Sequence, residues 1–274
     1  MARRAFIGGI LTTLAGFVIN RLQESQQPLT PVLYLLFFAA LLWALAALCF
    51  ALIREAPGAV DGGRNAIAEA AAGLSFYREH QGFRRFLAAR GLLLTVEMAT
   101  PFFVLHAGQL LPLRMQDIGL LVSAVGFSQL ISSPFWGRMA DSTSRQVMLR
   151  SLQIATAAAV LAVLLTIVPL YPLRYLGYLL VFVLIGLAEG GARLGRKTYL
   201  VDAVPAAERA TFTAFSNSTI GLLAVLAGLA GFIAQWLGAT PMLICIVLLL
   251  LAGVQVCRRM PEAEQMLSVR VSNS

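Results

Sequence analysis

The feature that most constrains this chain is its series of apolar runs, each about 20 residues long. An α-helix needs roughly 20 residues to cross the ~30 Å hydrocarbon core of a bilayer. These runs are apolar on every side, whereas a helix on a soluble core carries a single apolar stripe. With 59% hydrophobic and 12% charged residues, the composition excludes an ordinary soluble domain. The sequence therefore predicts an all-α polytopic membrane protein.

Eight transmembrane helices are predicted, and the one long connection between them divides the chain. The predicted spans are residues 5–22, 29–53, 86–109, 116–136, 147–168, 174–193, 211–237 and 239–257. Apolar residues recur at helical spacing within the long connection, which predicts an amphipathic helix on the membrane surface. We expect four segments: two helices in 1–53, a cytoplasmic loop in 54–85, a six-helix bundle in 86–257 and a cytoplasmic tail in 258–274.

The net charge of +8 is explained by membrane topology. Arg21, Arg114 and Arg174 are the basic residues of one set of connections, and every other Lys and Arg falls on the opposite side or at the helix ends nearest to it. The positive-inside rule then places both termini in the cytoplasm, with the chain integral to the inner or plasma membrane. A nucleic-acid-binding protein would gather its charge on one soluble face. We expect contact with membrane lipid and no nucleic-acid partner.

A short polar turn separates the spans 116–136 and 147–168, and its pattern is the most specific in the chain. It reads Gly137-Arg138-Met139-Ala140-Asp141-Ser142-Thr143-Ser144-Arg145. Gly137 allows close approach of a backbone, Asp141 suits the positive end of a neighbouring helix, and Arg145 holds the turn in the cytoplasm. An ordinary turn with positive-inside charges is the alternative interpretation. The pattern resembles the loop signature of the major facilitator superfamily of secondary transporters.

The resemblance implies a domain organisation. Proteins of that family have two six-helix bundles joined by a long cytoplasmic loop, and the signature lies between the second and third helices of a bundle. Residues 193–205 are similar to the inner loop between the fourth and fifth helices. The region 86–257 then corresponds to a complete C-terminal bundle, preceded by the last two helices of an N-terminal one. This implies that four helices are absent, so we expect self-association through the incomplete face and no solute flux from this chain alone.

One carboxylate lies in the middle of a predicted span, where ionisable groups are costly and usually functional. Glu97 lies in a mostly apolar stretch, and Pro101 follows four residues later. Arg90 is seven residues earlier on the same helical face, so we expect it to partner Glu97. The pattern favours a proton-coupling carboxylate that lines a substrate cavity. A passive hydrogen bond to a neighbouring helix is the alternative.

Other polar residues are candidates for gating or for the cavity. Glu189 and Arg193 are four residues apart, in the order that favours an intrahelical ion pair, and they are predicted to act in gating or local anchoring. Gln129 and Asn217 are candidates for substrate contact or for hydrogen bonds between helices. Small residues that include Gly221 and Gly228 predict a helix-packing seam.

Three functions compete at this point. We expect a secondary active transporter of an unidentified small solute, coupled to a proton gradient and exporting. A non-transporting membrane sensor or assembly subunit built on a transporter half is the alternative. A membrane-embedded enzyme is disfavoured because the sequence has no His-rich motif, no Gly-x-Ser-x-Gly and no paired aspartates in a span. The three cysteines and two histidines lack metal-ligand spacing, so we expect no metal and no cofactor.

Overall fold

The computed structural model of the chain describes residues 29–52, 66–206 and 208–267. Every regular element in these ranges that we number is an α-helix: α1 Leu29–Ala51, α2 Ala66–Glu79, α3 Gln81–Leu110, α4 Met115–Ser142, α5 Ser144–Leu164, α6 Tyr171–Ala203, α7 Arg209–Gly228, α8 Ala230–Leu237 and α9 Ala239–Arg258. A short 3₁₀ turn at Ala263–Gln265 follows α9. The predicted first span and the parts of the loop and tail at 53–65 and 268–274 lie outside the described residues.

Six helical segments in the described ranges are long and apolar enough to cross a membrane. They are α3, the Asp117–Ser142 part of α4, α5, α6, the continuous stretch Arg209–Leu237 formed by α7 and α8, and α9. Helix α1 adds a shorter apolar segment, Leu36–Cys49. The predicted fold class of a polytopic helical membrane protein is confirmed. The structure places a break at Leu229, so the predicted span 211–237 is two helices in line.

Helix α6 organises the bundle because it packs along both α4 and α5. A Cβ atom added at Gly186 would lie 2.8 Å from Cα of Val125, so the α4 and α6 backbones meet too closely for a side chain. Gly195 plays the same part towards α5, where an added Cβ would lie 3.0 Å from the backbone nitrogen of Met148. Helix α9 completes the bundle by packing on α3 and α5.

Helices α1 and α2 have different relations to this bundle. Every α1 side chain that the structure describes is exposed, including Trp43 at 80%. Helix α2 packs against α7 and α3. The Phe76 ring stacks on Phe212 of α7 at a centroid distance of 4.4 Å, and Gly73 lies against Phe215. The predicted surface helix is thus attached to the bundle through aromatic side chains.

The segment after α9 closes one end of the bundle, which we call the turn end because α4 and α5 meet there at Thr143. Met266 is fully buried and Met260 nearly so. Arg85 of α3 donates to the carbonyl oxygen of Arg259 at 2.9 Å, and the Tyr199 hydroxyl of α6 donates to that of Pro261 at 3.0 Å. The ends of α3 and α6 at the turn end are therefore tied to residues 259–267.

Candidate functional site

Glu97 is held by an arginine from α6. Nη2 of Arg196 lies 3.1 Å from Oε1 of Glu97, and Nη1 donates to Oε2 at 3.2 Å. The two side chains are 25% and 17% exposed, Glu97 first. The Nη1 contact is a charge-assisted hydrogen bond, whereas Oε1 has no hydrogen-bond partner among the described residues, so its contact with Nη2 is electrostatic alone. This ion pair joins α3 to α6, two of the helices that are long and apolar enough to cross a membrane.

A second carboxylate, Glu189, lies in a hydrogen-bond network that connects three helices. Thr100 of α3 donates to its Oε1 at 2.9 Å, and Gln129 of α4 donates through Nε2 to its Oε2 at 2.8 Å. The Oε1 of Gln129 accepts a hydrogen bond from Arg193. Gln129 therefore lies between Glu189 and Arg193 and bridges them.

The predicted intrahelical ion pair is thus replaced by a bridged one. Among the described residues, Glu189 and Arg193 make no direct salt bridge, although they interact electrostatically. The reason is that the Gln129 amide offers a donor to the carboxylate and an acceptor to the guanidinium at once. Both charged groups then keep a hydrogen-bond partner without facing each other.

Arg90 points towards α7 and does not form the predicted ion pair with Glu97. It donates through Nη1 to the Ser216 hydroxyl and through Nη2 to Oδ1 of Asn217, the latter at 2.6 Å. Asn217 is therefore a helix-to-helix contact in this structure. Arg90 still interacts electrostatically with Glu97 and Arg196, so the three charges lie close enough together to influence one another.

These contacts place five ionisable groups on facing sides of α3 and α6, and we call these five groups the charged layer. Glu189, Arg193 and Arg196 follow an i, i+4, i+7 pattern along one face of α6. Arg90 and Glu97 occupy the same face of α3, seven residues apart. Charges act more strongly on each other here than in water because the surroundings have a low dielectric constant. A change in the protonation of either carboxylate would therefore be felt across the layer.

The signature turn is compact, with Thr143 alone between α4 and α5. Nε and Nη2 of Arg145 both lie 2.6 Å from Oε1 of Glu262, so Arg145 anchors the turn to the segment after α9. Asp141 is exposed, and the expectation that it meets the positive end of a neighbouring helix stays untested, because the first predicted span lies outside the described residues. An added Cβ at Gly137 would meet no atom within 4 Å, so the described part of the chain makes no close approach there.

The structure adds residues that the sequence patterns do not single out. Arg196 pairs with Glu97, Thr100 donates a hydrogen bond to Glu189, and the Ser216 hydroxyl accepts one from Arg90. Arg196 falls in the region assigned to the inner loop, but α6 continues to Ala203. The spacing of Glu189, Arg193 and Arg196 on one helical face is the signal that identifies it once the helix is extended.

A further polar cluster lies at the other end of the bundle from the turn end. His106 of α3 is fully buried. Its Nδ1 hydrogen-bonds the hydroxyl of Tyr178 on α6, and its Nε2 lies 3.0 Å from Oγ1 of Thr240 on α9. Within the described ranges, no three His, Cys, Asp or Glu side chains group as metal ligands would. The histidine therefore acts as a hydrogen-bonding link between three helices.

The comparisons with known proteins concern the region that holds all of these contacts. The family model of the Major Facilitator Superfamily matches residues 86–269. No curated protein and no solved structure matches the chain. The matched region includes α4 and α5 with the signature turn, and α3 and α6 with the charged layer. The chain belongs to the Major Facilitator Superfamily, whose members are membrane transporters.

Proposed function

We propose that the chain acts in secondary active transport of a small solute, coupled to protons and directed outward. The observation that carries this proposal is the Glu97–Arg196 ion pair between α3 and α6. Ionisable side chains inside a membrane are rare and commonly belong to ion or proton pathways. A pair that joins two helices of a transporter bundle can also control how those helices move.

The coupling step follows from the charges of the pair. Protonation of Glu97 removes its negative charge and with it most of the attraction to Arg196. Helices α3 and α6 would then be free to separate at that level, which changes the side of the membrane that the layer faces. Deprotonation would restore the pair. Proton occupancy and bundle conformation are linked in this way.

Glu189 supports the same mechanism from a neighbouring position. Its carboxylate accepts hydrogen bonds from Thr100 and Gln129, and it interacts electrostatically with Glu97. Two nearby carboxylates disfavour being charged together. A change in the charge of Glu97 would therefore be felt at Glu189.

Competition between the solute and the proton for one site favours outward transport of the solute. If the solute and the proton compete for the charged layer, the solute is carried out as the proton is carried in. The apolar character of the spans favours a lipophilic solute. The proposal is therefore proton–solute antiport.

The test uses the full chain in proteoliposomes that contain a pH-sensitive dye, at a protein-to-lipid ratio high enough for copies to self-associate, because no flux is expected from a single copy. Ethidium, fluorescein and a neutral naphthylamine dye serve as cationic, anionic and neutral probe solutes. We expect a gradient of at least one probe to move protons in the opposite direction, and Glu97→Gln to abolish this movement. Glu264→Gln is the control because Glu264 is exposed after α9. Probe movement without any proton movement, or no movement of any probe, would contradict the proposal.

A further inference from the structure

The segment after α9 contacts both of the helices that the carboxylate–arginine ion pair joins. Arg85 of α3 donates a hydrogen bond to the carbonyl oxygen of Arg259 at 2.9 Å. On α6, the hydroxyl of Tyr199 donates to the carbonyl oxygen of Pro261 at 3.0 Å. Residues 259–267 therefore bridge α3 and α6 at the turn end.

Helix α3 also meets this segment through its backbone. Gly82 is buried in the first turn of α3, and a Cβ atom added there would lie 2.9 Å from the carbonyl carbon and 3.0 Å from Cα of Met266. The obstacle is main chain, so relief would require a backbone shift of the kind that overpacking forces. Met266 itself is fully buried. The segment is therefore packed against α3 as well as hydrogen-bonded to it.

A third anchor fixes the segment to the start of α5. Nε and Nη2 of Arg145 both lie 2.6 Å from Oε1 of Glu262. Helices α5 and α6 meet closely at Gly195, where an added Cβ would lie 3.0 Å from the backbone nitrogen of Met148. The anchors on α5 and α6 therefore belong to one closely packed pair of helices, and the anchors on α3 lie on the other side of the bridge.

The polar anchors are weak enough to be released while the bundle stays folded. The hydrogen bond from Arg85 is exposed, and the pair of Arg145 with Glu262 is partly exposed, so water competes for both. N–H···O hydrogen bonds rarely extend beyond about 3.2 Å, so a separation of α3 from α6 by about 1 Å would break at least one of them. Segments held by a few exposed hydrogen bonds open locally at a low cost in free energy.

We propose that residues 259–267 are a strap that keeps the turn ends of α3 and α6 together, and that one of its anchors must release before the two helices separate there. Tyr199 follows Arg196 on α6 by three residues, or about one helical turn. The strap therefore also restrains the part of α6 that brings Arg196 to Glu97. It acts on the position of the helices and not on the charge of a carboxylate, so it does not depend on proton coupling.

The distance between spin labels on the two turn ends tests the strap. Arg84→Cys on α3 and Asp202→Cys on α6 supply the label sites, since both residues are exposed. Cys49 and Cys245 are exposed and are replaced by Ala, whereas the fully buried Cys257 stays. The labelled full chain is purified in a nonionic detergent and diluted with unlabelled copies, so that pulsed electron paramagnetic resonance measures distances within one copy. We expect one distance to dominate in this parent protein.

Gly82→Ala disrupts the strap from the α3 side without removing a polar group. Alanine favours a helix more than glycine does, so the substitution acts through its clash with Met266 and not through a weaker α3. We expect the share of molecules with a longer label distance to rise at least about fivefold. Gly108→Ala is the control on the same helix, since a Cβ there meets no atom within 4 Å among the described residues.

Tyr199→Phe disrupts the strap from the α6 side and keeps the ring that stacks on Phe86. Loss of the hydroxyl should raise the share of the longer distance about two- to tenfold. Tyr178→Phe is the matched control, because it removes another buried hydroxyl from α6 at the far end of the bundle. It should leave the label distance unchanged.

The controls separate release of the strap from general loosening of the bundle. An unchanged distance in Tyr199→Phe, or an equal lengthening in Tyr178→Phe, would overturn the proposal. Equal results for folded Gly82→Ala and Gly108→Ala would also overturn it, and if Gly82→Ala does not fold, Tyr199→Phe decides alone. The measurement involves neither a solute nor a proton gradient, so a failure of antiport would leave its result standing.

Discussion

Glu97 of α3 and Arg196 of α6 form an ion pair although 99 residues separate them in the chain. The pair lies in the same charged layer as Glu189, whose hydrogen bonds reach α3 and α4. Three of the six segments in the described ranges that are long and apolar enough to cross a membrane are thus connected through two carboxylates. This arrangement concentrates the charge of the bundle where movement of α3 against α6 would expose or bury it.

The Glu97–Arg196 pair should contribute a measurable coupling energy to folding. We expect Glu97→Gln and Arg196→Gln each to destabilise the protein, because each leaves one charge without its partner. The double variant should be less destabilised than the sum of the two, by about 0.5–3 kcal/mol. Unfolding in detergent of the four proteins, compared in a double-mutant cycle, gives this energy. Strict additivity would show that the two side chains do not interact.

Gln129 should matter for stability because it serves two charged groups. Gln129→Ala removes the donor to Glu189 and the acceptor for Arg193. Loss of a hydrogen bond to a charged group costs about 1.5–3 kcal/mol, so we expect a clear drop in the unfolding temperature. Gln109→Ala is the matched control, since Gln109 is exposed near the end of α3. Equal unfolding temperatures of the two variants would rule out the bridge.

The contact between Arg145 and Glu262 should hold the segment after α9 in place. Both side chains are partly exposed, at 18% and 40%, so the pair is worth no more than about 1 kcal/mol. Glu262→Gln should therefore speed amide hydrogen exchange in residues 259–267 by up to about fivefold. Glu264→Gln should leave the exchange unchanged. The anchor would be refuted by equal exchange in the two variants and the parent protein.

The buried cluster around His106 should be a source of stability. Tyr178→Phe removes the hydroxyl that hydrogen-bonds Nδ1 of His106. A buried polar group left without a partner costs about 1–3 kcal/mol, so thermal unfolding should occur at a lower temperature. Tyr175→Phe makes the same chemical change at a half-buried position on α6 and should have a smaller effect. The reverse order would contradict the assignment.

The sequence predicted the fold class and the position of Glu97 because both depend on local patterns. Apolar runs of membrane-spanning length identify helices without knowledge of their neighbours. A lone carboxylate in such a run stands out for the same reason. The sequence did not predict the partner of Glu97. Arg90 is the nearest cation along the chain, but α6 brings Arg196 into contact with Glu97.

The errors have physical reasons. The sequence placed the end of α6 at Arg193 because the residues that follow are basic and polar, but the helix continues to Ala203 and uses Arg196 for the ion pair. The predicted packing seam at Gly221 and Gly228 is a separate case: an added Cβ there meets no atom within 4 Å among the described residues, and the prediction stays untested. Periodicity identifies a face of a helix, but only the tertiary structure shows what covers that face.

Proton release on solute binding tests the central claim most directly, because it requires no bilayer and no gradient. The full chain in weakly buffered detergent is mixed with the probe solute that moves in the flux assay, and a pH indicator records the protons released. Antiport through Glu97 predicts release by the parent protein and by Glu264→Gln, and none by Glu97→Gln. Equal proton release by Glu97→Gln would contradict the account.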